Sequence, residues 1–157
     1  MRIPFLAAAA LAAMTLPAIA QMAPTPNLYM SPADVAAALA KGKAAATMTP
    51  QQLVSVPPYR AVLEYRANPT PASIHEKEDE LISIVAGSGT MIIGGTLKDQ
   101  TRRNDTNLAG SGIEGGKTYS VEKGAFLFIP AGTAHYFASM GPDGLTIMSL
   151  HVPHIEK

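Results

Sequence analysis

The chain has 157 residues, 12 Lys and Arg against 12 Asp and Glu, and no cysteine. The balanced charge gives no strong field to gather nucleic acid or an anionic membrane surface. Without cysteine there is no disulfide framework, no thiolate metal site and no cysteine nucleophile, so stability rests on packing.

Residues 1–20 read as a signal peptide. Arg2 gives a positive start, residues 3–16 are almost uninterruptedly apolar, and Ala18-Ile19-Ala20 puts small residues where a signal peptidase reads. The apolar stretch is shorter than the roughly 20 residues that span a bilayer. Cleavage after Ala20 is therefore expected, with a periplasmic or secreted product that has no membrane association afterwards. What remains from Gln21 is of single-domain size.

Residues 21–56 read as an arm and a short helix. The Pro-rich start, 21–30, lacks periodicity and suits an extended arm. Ser31 before Pro32 resembles an N-cap with proline at the first helical position, Asp34 suits the positive end, and Gly42 can close the helix, which predicts a helix over 32–41. Its apolar side is mostly alanine, a strong helix former with a thin burial face. It is expected to pack on the exterior of the following domain or on a second copy of the chain, which leaves a homodimer open.

From residue 57 to 157 the pattern is β. Tyr59, Ala61, Leu63 and Tyr65 alternate with Arg60, Val62, Glu64 and Arg66, as in a half-buried strand. The runs 81–86, 90–93, 117–121, 125–129 and 145–152 are short, β-branched or aromatic, and punctuated by glycine or proline. Many short strands at regular turn spacing favour an antiparallel sandwich or barrel over alternating β and α units. The polar stretch 98–112, with Arg102, Arg103, Asn104, Asp105 and Asn107, is too long for a hairpin and reads as a loop able to serve as a lid.

Two segments set histidines among glycines and prolines at defined offsets. In GAFLFIPAGTAH, Gly124 is followed after five residues by Pro130, then by Gly132 and His135. Upstream, Glu80 is followed after six residues by Gly87, and His75 precedes it. These segments resemble the two cupin motifs. The resemblance covers about residues 57–153 and implies an all-β fold, the double-stranded β-helix of the cupin jelly-roll barrel, here behind a short N-terminal helix. It also implies a divalent metal site on His75, Glu80 and His135. The first motif normally carries two histidines one residue apart. If His75 is the second, Ser73 stands at the first; if it is the first, Lys77 stands at the second. Both registers stay open, and the family's usual asparagine after the second motif is Ser139 here.

Two imidazoles and a carboxylate on neighbouring strands leave coordination positions for water or substrate, which suits a catalytic metal, and iron, manganese, nickel and zinc are all compatible. The function read from this is metal-dependent oxygenase- or isomerase-like chemistry on a small molecule. The alternative is a metal-free cupin that binds a small ligand, with Lys77 or an arginine of 98–112 gripping an anionic group, or that serves as an envelope interaction protein. His151 alternates with Ser149 and Ile147 and could reach the cavity as a supplementary ligand or base, but a lone strand histidine is more often a packing residue, and that reading is preferred. His154 reads as solvated, and Glu76, Glu78 and Asp79 as a solvated turn. Gly94-Gly95 and Gly115-Gly116 lack the strand-to-helix context of a nucleotide loop.

Overall fold

A computed structural model describes residues 28–45 and 47–155. The expected signal peptide, residues 1–20, and residues 21–27 of the expected arm lie outside them. Helix α1 (Pro32–Ala44) starts on a capping box: Ser31 Oγ accepts from the Asp34 N–H, and the Asp34 carboxylate accepts from the Ser31 N–H. The helix runs past its expected end at residue 41. Gly42 does not stop it but lies buried in the last turn, where a Cβ would stand 3.7 Å from Gln51 and 3.8 Å from Tyr65. A small residue there lets the helix lie close against the sheet.

β-structure begins at β1 (Gln51–Val56), ahead of the expected start at residue 57, and β1 makes a hairpin with β2 (Tyr59–Arg66). Two long strands organise the rest. β4 (Glu78–Ile93) and β11 (His135–Pro153) run antiparallel from the pair Glu78 and Pro153 to the pair Ile93 and His135. The runs expected as separate strands at 81–86 and 90–93 are therefore one strand. The chain bends at Gly87 instead of breaking: its φ is +81°, and a Cβ there would meet the Gly144 carbonyl oxygen at 2.0 Å. β9 (Lys117–Glu122) and β10 (Phe126–Ile129) pair with the other edge of β4, and β2 pairs with β11. β3 (Ala72–His75) meets β11 at one pair, Ser73 with His135. This is the double-stranded β-helix that the motifs imply.

Residues 98–112 are not a loop. β6 (Thr101–Asn104) and β7 (Asn107–Gly110) form a hairpin that extends the sheet beyond β3, and β5 (Thr96–Lys98) pairs with β8 (Gly112–Glu114) in a separate two-stranded sheet. All four residues of β6 are exposed, so the segment carries no apolar alternation that marks a strand.

Period 2 builds the interior. On β4 the inward row is Glu80, Ile82, Ile84, and on β11 it is Leu145, Ile147, Ser149, His151; the pairs are His151 with Glu80, Ser149 with Ile82 and Ile147 with Ile84. The apolar end of these rows joins Phe137, Met91, Val121 and Ile129 in the main core, where a fully buried Ile, Leu or Phe stabilises the fold by roughly 1.5–3 kcal/mol. The other end turns polar.

Two glycine substitutions separate backbone strain from steric conflict. Gly124 has φ +93° and open space around it, whereas at Gly87 a Cβ collides with backbone. Gly124→Ala is expected to cost about 1–2 kcal/mol, and Gly87→Ala at least about 2 kcal/mol more, read from urea unfolding midpoints. Equal costs would mean that β4 and β11 do not meet closely at Gly87.

Candidate metal centre

Glu80 sits at the start of β4 with only 7% of its surface exposed. Three imidazoles from two neighbouring strands converge on it. Its Oε2 lies 3.3 Å from His135 Nε2 and 3.8 Å from His75 Nε2, and its Oε1 lies 3.5 Å from His151 Nε2. The His75 ring is 5.3 Å from that of His135 and 5.2 Å from that of His151, centroid to centroid.

Strand register places these groups. His151 is the direct cross-strand partner of Glu80, and directly opposed side chains share a face. Ser73 and His75 are the alternate residues of β3 that line the cavity, and Ser73 is opposite His135. Ser73 thus occupies the position two residues before His75, while Lys77 is exposed and its carbonyl accepts a hydrogen bond from the His154 N–H. Neither Ser73 nor Lys77 supplies the further imidazole. His151 does, so its preferred reading as a packing residue is corrected.

Candidate ligand atoms of His75, Glu80 and His151 all lie within 4.8 Å of one another; among the described residues this is the group that could hold a metal ion. His135 stands just outside that set and reaches it through Glu80.

The outer ring nitrogens are tied back. His135 Nδ1 donates to the Thr133 carbonyl at 2.9 Å, and His75 Nδ1 donates to Asn107 Oδ1 at 2.5 Å. The Asn107 amide nitrogen donates to Asn104 Oδ1 at 2.9 Å, which orients its oxygen toward His75. With Nδ1 engaged as the donor, Nε2 is the atom that each ring turns toward Glu80, and it is the one each could offer to a metal, as ligating histidines do. His151 Nδ1 comes within 3.3 Å of Glu78 Oε2 without making a hydrogen bond. Asn107 carried no signal in the sequence, because it acts from a strand that composition disguised as a loop.

Burial pulls the Glu80 carboxyl upward, but His135, His151 and His75 outweigh it and hold its pKa down at about 2. Burial lowers His151 below the ordinary histidine value, helped by Arg60 and His75 and opposed by Glu80 and Glu78. His154, expected to be solvated, is paired with Asp79 at 3.1 Å. The four central side chains line one cavity of about 720 Å³, bounded on one side by the segment after α1 and on another by β6 and β7.

No protein-family model matches the chain, and neither does any curated protein sequence. Solved structures match its fold. A candidate sugar phosphate isomerase from Acidithiobacillus ferrooxidans aligns with 82% of this chain and 76% of its own, at 15% identity and a TM-score of 0.56. KdgF from a Halomonas species aligns with 72% of this chain and 84% of its own, at 16% identity and a TM-score of 0.50. The iron(II) form of HppE aligns with 67% of this chain and 50% of its own, at 13% identity and a TM-score of 0.50. Identities this low carry the barrel and not the activity.

The depressed Glu80 pKa sets a pH window for the metal-free protein. A carboxylate held at about 2 against an ordinary 4.5 stabilises the fold fully above 4.5 and loses that contribution as pH falls toward 2, a span on the order of 3 kcal/mol. His151, lowered from 6.5, destabilises in the same direction once pH drops below that value. Urea midpoints of metal-free protein should fall below pH 6.5 and more steeply below 4.5, and Glu80→Gln should remove the steeper part. An unchanged slope in Glu80→Gln would show that the carboxylate is not held by the imidazoles.

Proposed function

Because the chain has the cupin fold, with imidazoles gathered around a buried carboxylate inside the barrel, we propose that it is a metal-dependent protein acting on a small molecule. His75, Glu80 and His151 would hold a divalent ion, with His135 as the fourth candidate ligand. The observation that carries this reading is the paired anchoring of His75 and His135, whose Nδ1 atoms are engaged while their Nε2 atoms face Glu80. Nitrogen and carboxylate donors suit iron, manganese, nickel or zinc, and HppE is a barrel of this fold described with iron(II). When bound, such an ion supplies Lewis acidity to an oxygen of the substrate. The chain's own residues orient the imidazoles, supply one negative charge and line the same cavity with Phe137 and the Arg66–Glu64 pair. Both oxygen-dependent and isomerising reactions fit this frame.

A metal-free ligand-binding barrel is the second reading. It is favoured by one fact: three imidazoles stand close enough to Glu80 to partner its carboxylate themselves. We further read residues 1–20 as an export signal that delivers the mature chain, from Gln21, to the periplasm or the medium. Protein made with this leader and recovered from the exported fraction decides among these readings. Its intact mass should begin at Gln21, and it should carry close to one metal ion per chain, lost in His75→Ala and weakened at least tenfold in His151→Ala. Protein free of metal after both aerobic and anaerobic preparation would support the ligand-binding reading instead, and an intact Met1 would contradict export.

A homodimer is read from the outer sheet face. Phe126 and Phe128 on β10 are 66% and 55% exposed, and across β4, Met148 and Leu150 on β11 and Tyr59 on β2 are 37%, 36% and 50% exposed. Cross-strand pairing sets Phe128, Leu81, Leu150 and Ala61 in one row. Together these side chains form an exposed apolar patch on one face of the sheet, the kind of surface a second copy of the chain could cover. Light scattering should give a dimer for the wild type and a monomer for the Phe126→Asp, Phe128→Asp double variant; a monomeric wild type would end this part of the reading.

A further inference from the structure

The cavity carries a charge surplus beyond the histidine cluster. Four cationic side chains line it, Lys43, Arg60, Arg66 and Arg103, against two carboxylates, Glu64 and Glu80. Both carboxylates are already engaged. Glu80 faces the imidazoles, and Glu64 is bound by Arg66, whose guanidinium also donates to Thr70 Oγ1 at 2.6 Å and lies 5.0 Å from the Phe137 ring centroid. Arg60 reaches Glu78 at 3.4 Å with its side chain 44% exposed, a loose surface pair. Lys43 rests 5.2 Å from the Tyr65 ring centroid. The Arg103 side chain has no hydrogen bond, ion pair or ring contact among the described residues. Its five N–H donors therefore face the cavity and solvent unspent.

The position of Arg103 is set by the strand that carries it. Register between β6 and β7 shifts between Arg102 and Asn104, and a bulge of this kind re-aims the side chain within it. Arg102 is held in a fork by Glu76, at 2.8 and 3.1 Å, while the bulged Arg103 lines the cavity. Asn104 pairs with Asn107, and Asn107 pairs with His75. Two strand spacings, roughly 10 Å, thus separate the β6 backbone beside Arg103 from that of His75. An arginine side chain covers part of this span, and the remainder suits a molecule of a few heavy atoms.

We propose that the cavity takes a small anion of the carboxylate or phosphate-monoester class, with Arg103 as its anion-gripping residue. The anionic group accepts a forked pair of hydrogen bonds from the Arg103 guanidinium, the geometry in which arginine recognises planar carboxylates and phosphates. The other end of the molecule turns its oxygens to His75, Glu80 and His151, a placement that rests on the reading of that cluster as the working end of the cavity. Lys43 and Arg60 add attraction without a fixed contact, so the selectivity for charge resides chiefly in Arg103.

Calorimetric titration of the full mature chain tests this, with zinc-loaded and metal-free protein run in parallel. The probes are malate and glycerol 2-phosphate, with glycerol as the neutral control. At least one anion should bind ten times more tightly than glycerol. Arg103→Glu should weaken that binding at least tenfold with metal content and melting temperature unchanged, Arg103→Lys should retain part of it, and Lys123→Glu, a charge reversal on a turn outside the cavity, should change it less than twofold. Preference for malate or for glycerol 2-phosphate tells which of the two anion sources fits. Equal binding by wild type and Arg103→Glu, or no preference over glycerol, overturns the proposal. Arg103-dependent anion binding in a protein that takes up no zinc would uphold the grip while overturning the metal reading, so the two failures are distinguishable.

Discussion

Glu80 is a carboxylate buried to 7% exposure inside a β-barrel, and a charge taken that far from water is tolerated only when partners replace its hydration. Here the partners are three imidazoles, each close enough to favour the ionised form. Most of the polar architecture at this end of the barrel is arranged around that requirement. Thr133 and Asn107 hold two of the rings, Asn104 holds Asn107, and Glu78 approaches the third ring from behind. The same set of donors, facing inward with their outer nitrogens restrained, is what a divalent ion requires.

The barrel meets this requirement through the register of β4 with β11. Both strands alternate inward and outward, and the last buried residue of each inward row is polar: Glu80 on one, His151 on the other, paired directly. One residue of slippage would send His151 to the outer face and bring Leu150 in. The close approach of Gly87 to Gly144 pins the same two strands together seven residues away from that pair. Packing at the apolar end of the barrel and chemistry at the polar end are therefore two consequences of one pairing.

Much of this is legible in the sequence. The spacing of Gly124, Pro130, Gly132 and His135, and of Glu80 and Gly87, carried the resemblance that implied the fold, and alternation with turn residues independently pointed to an antiparallel β sandwich or barrel. Glu80, His75 and His135 do meet at the centre. What sequence withheld is whatever depends on pairing between distant segments. His151 sits on the inward phase of its strand, a signal that alternation supplies, yet only its opposition to Glu80 distinguishes a cavity histidine from a packed one. The hairpin of β6 and β7 was hidden because its exposed strand is polar on both faces, and with it went the role of Asn107; an arginine of 98–112 was expected to reach an anion, but only the bulge between Arg102 and Asn104 tells which one lines the cavity. Gly42 misled for a related reason: a glycine that normally ends a helix here serves a close helix-to-sheet contact that only the fold reveals.

The central claim is that imidazoles from β3 and both ends of β11 act together on one ion beside Glu80. X-ray absorption at the zinc edge of the loaded protein measures this directly, since imidazole rings give characteristic multiple scattering. Three imidazole nitrogens at about 2.0–2.1 Å with at least one oxygen donor, falling to two nitrogens in His151→Ala, is the predicted result. A spectrum with one imidazole or none, or one that His151→Ala leaves unchanged, would contradict the account.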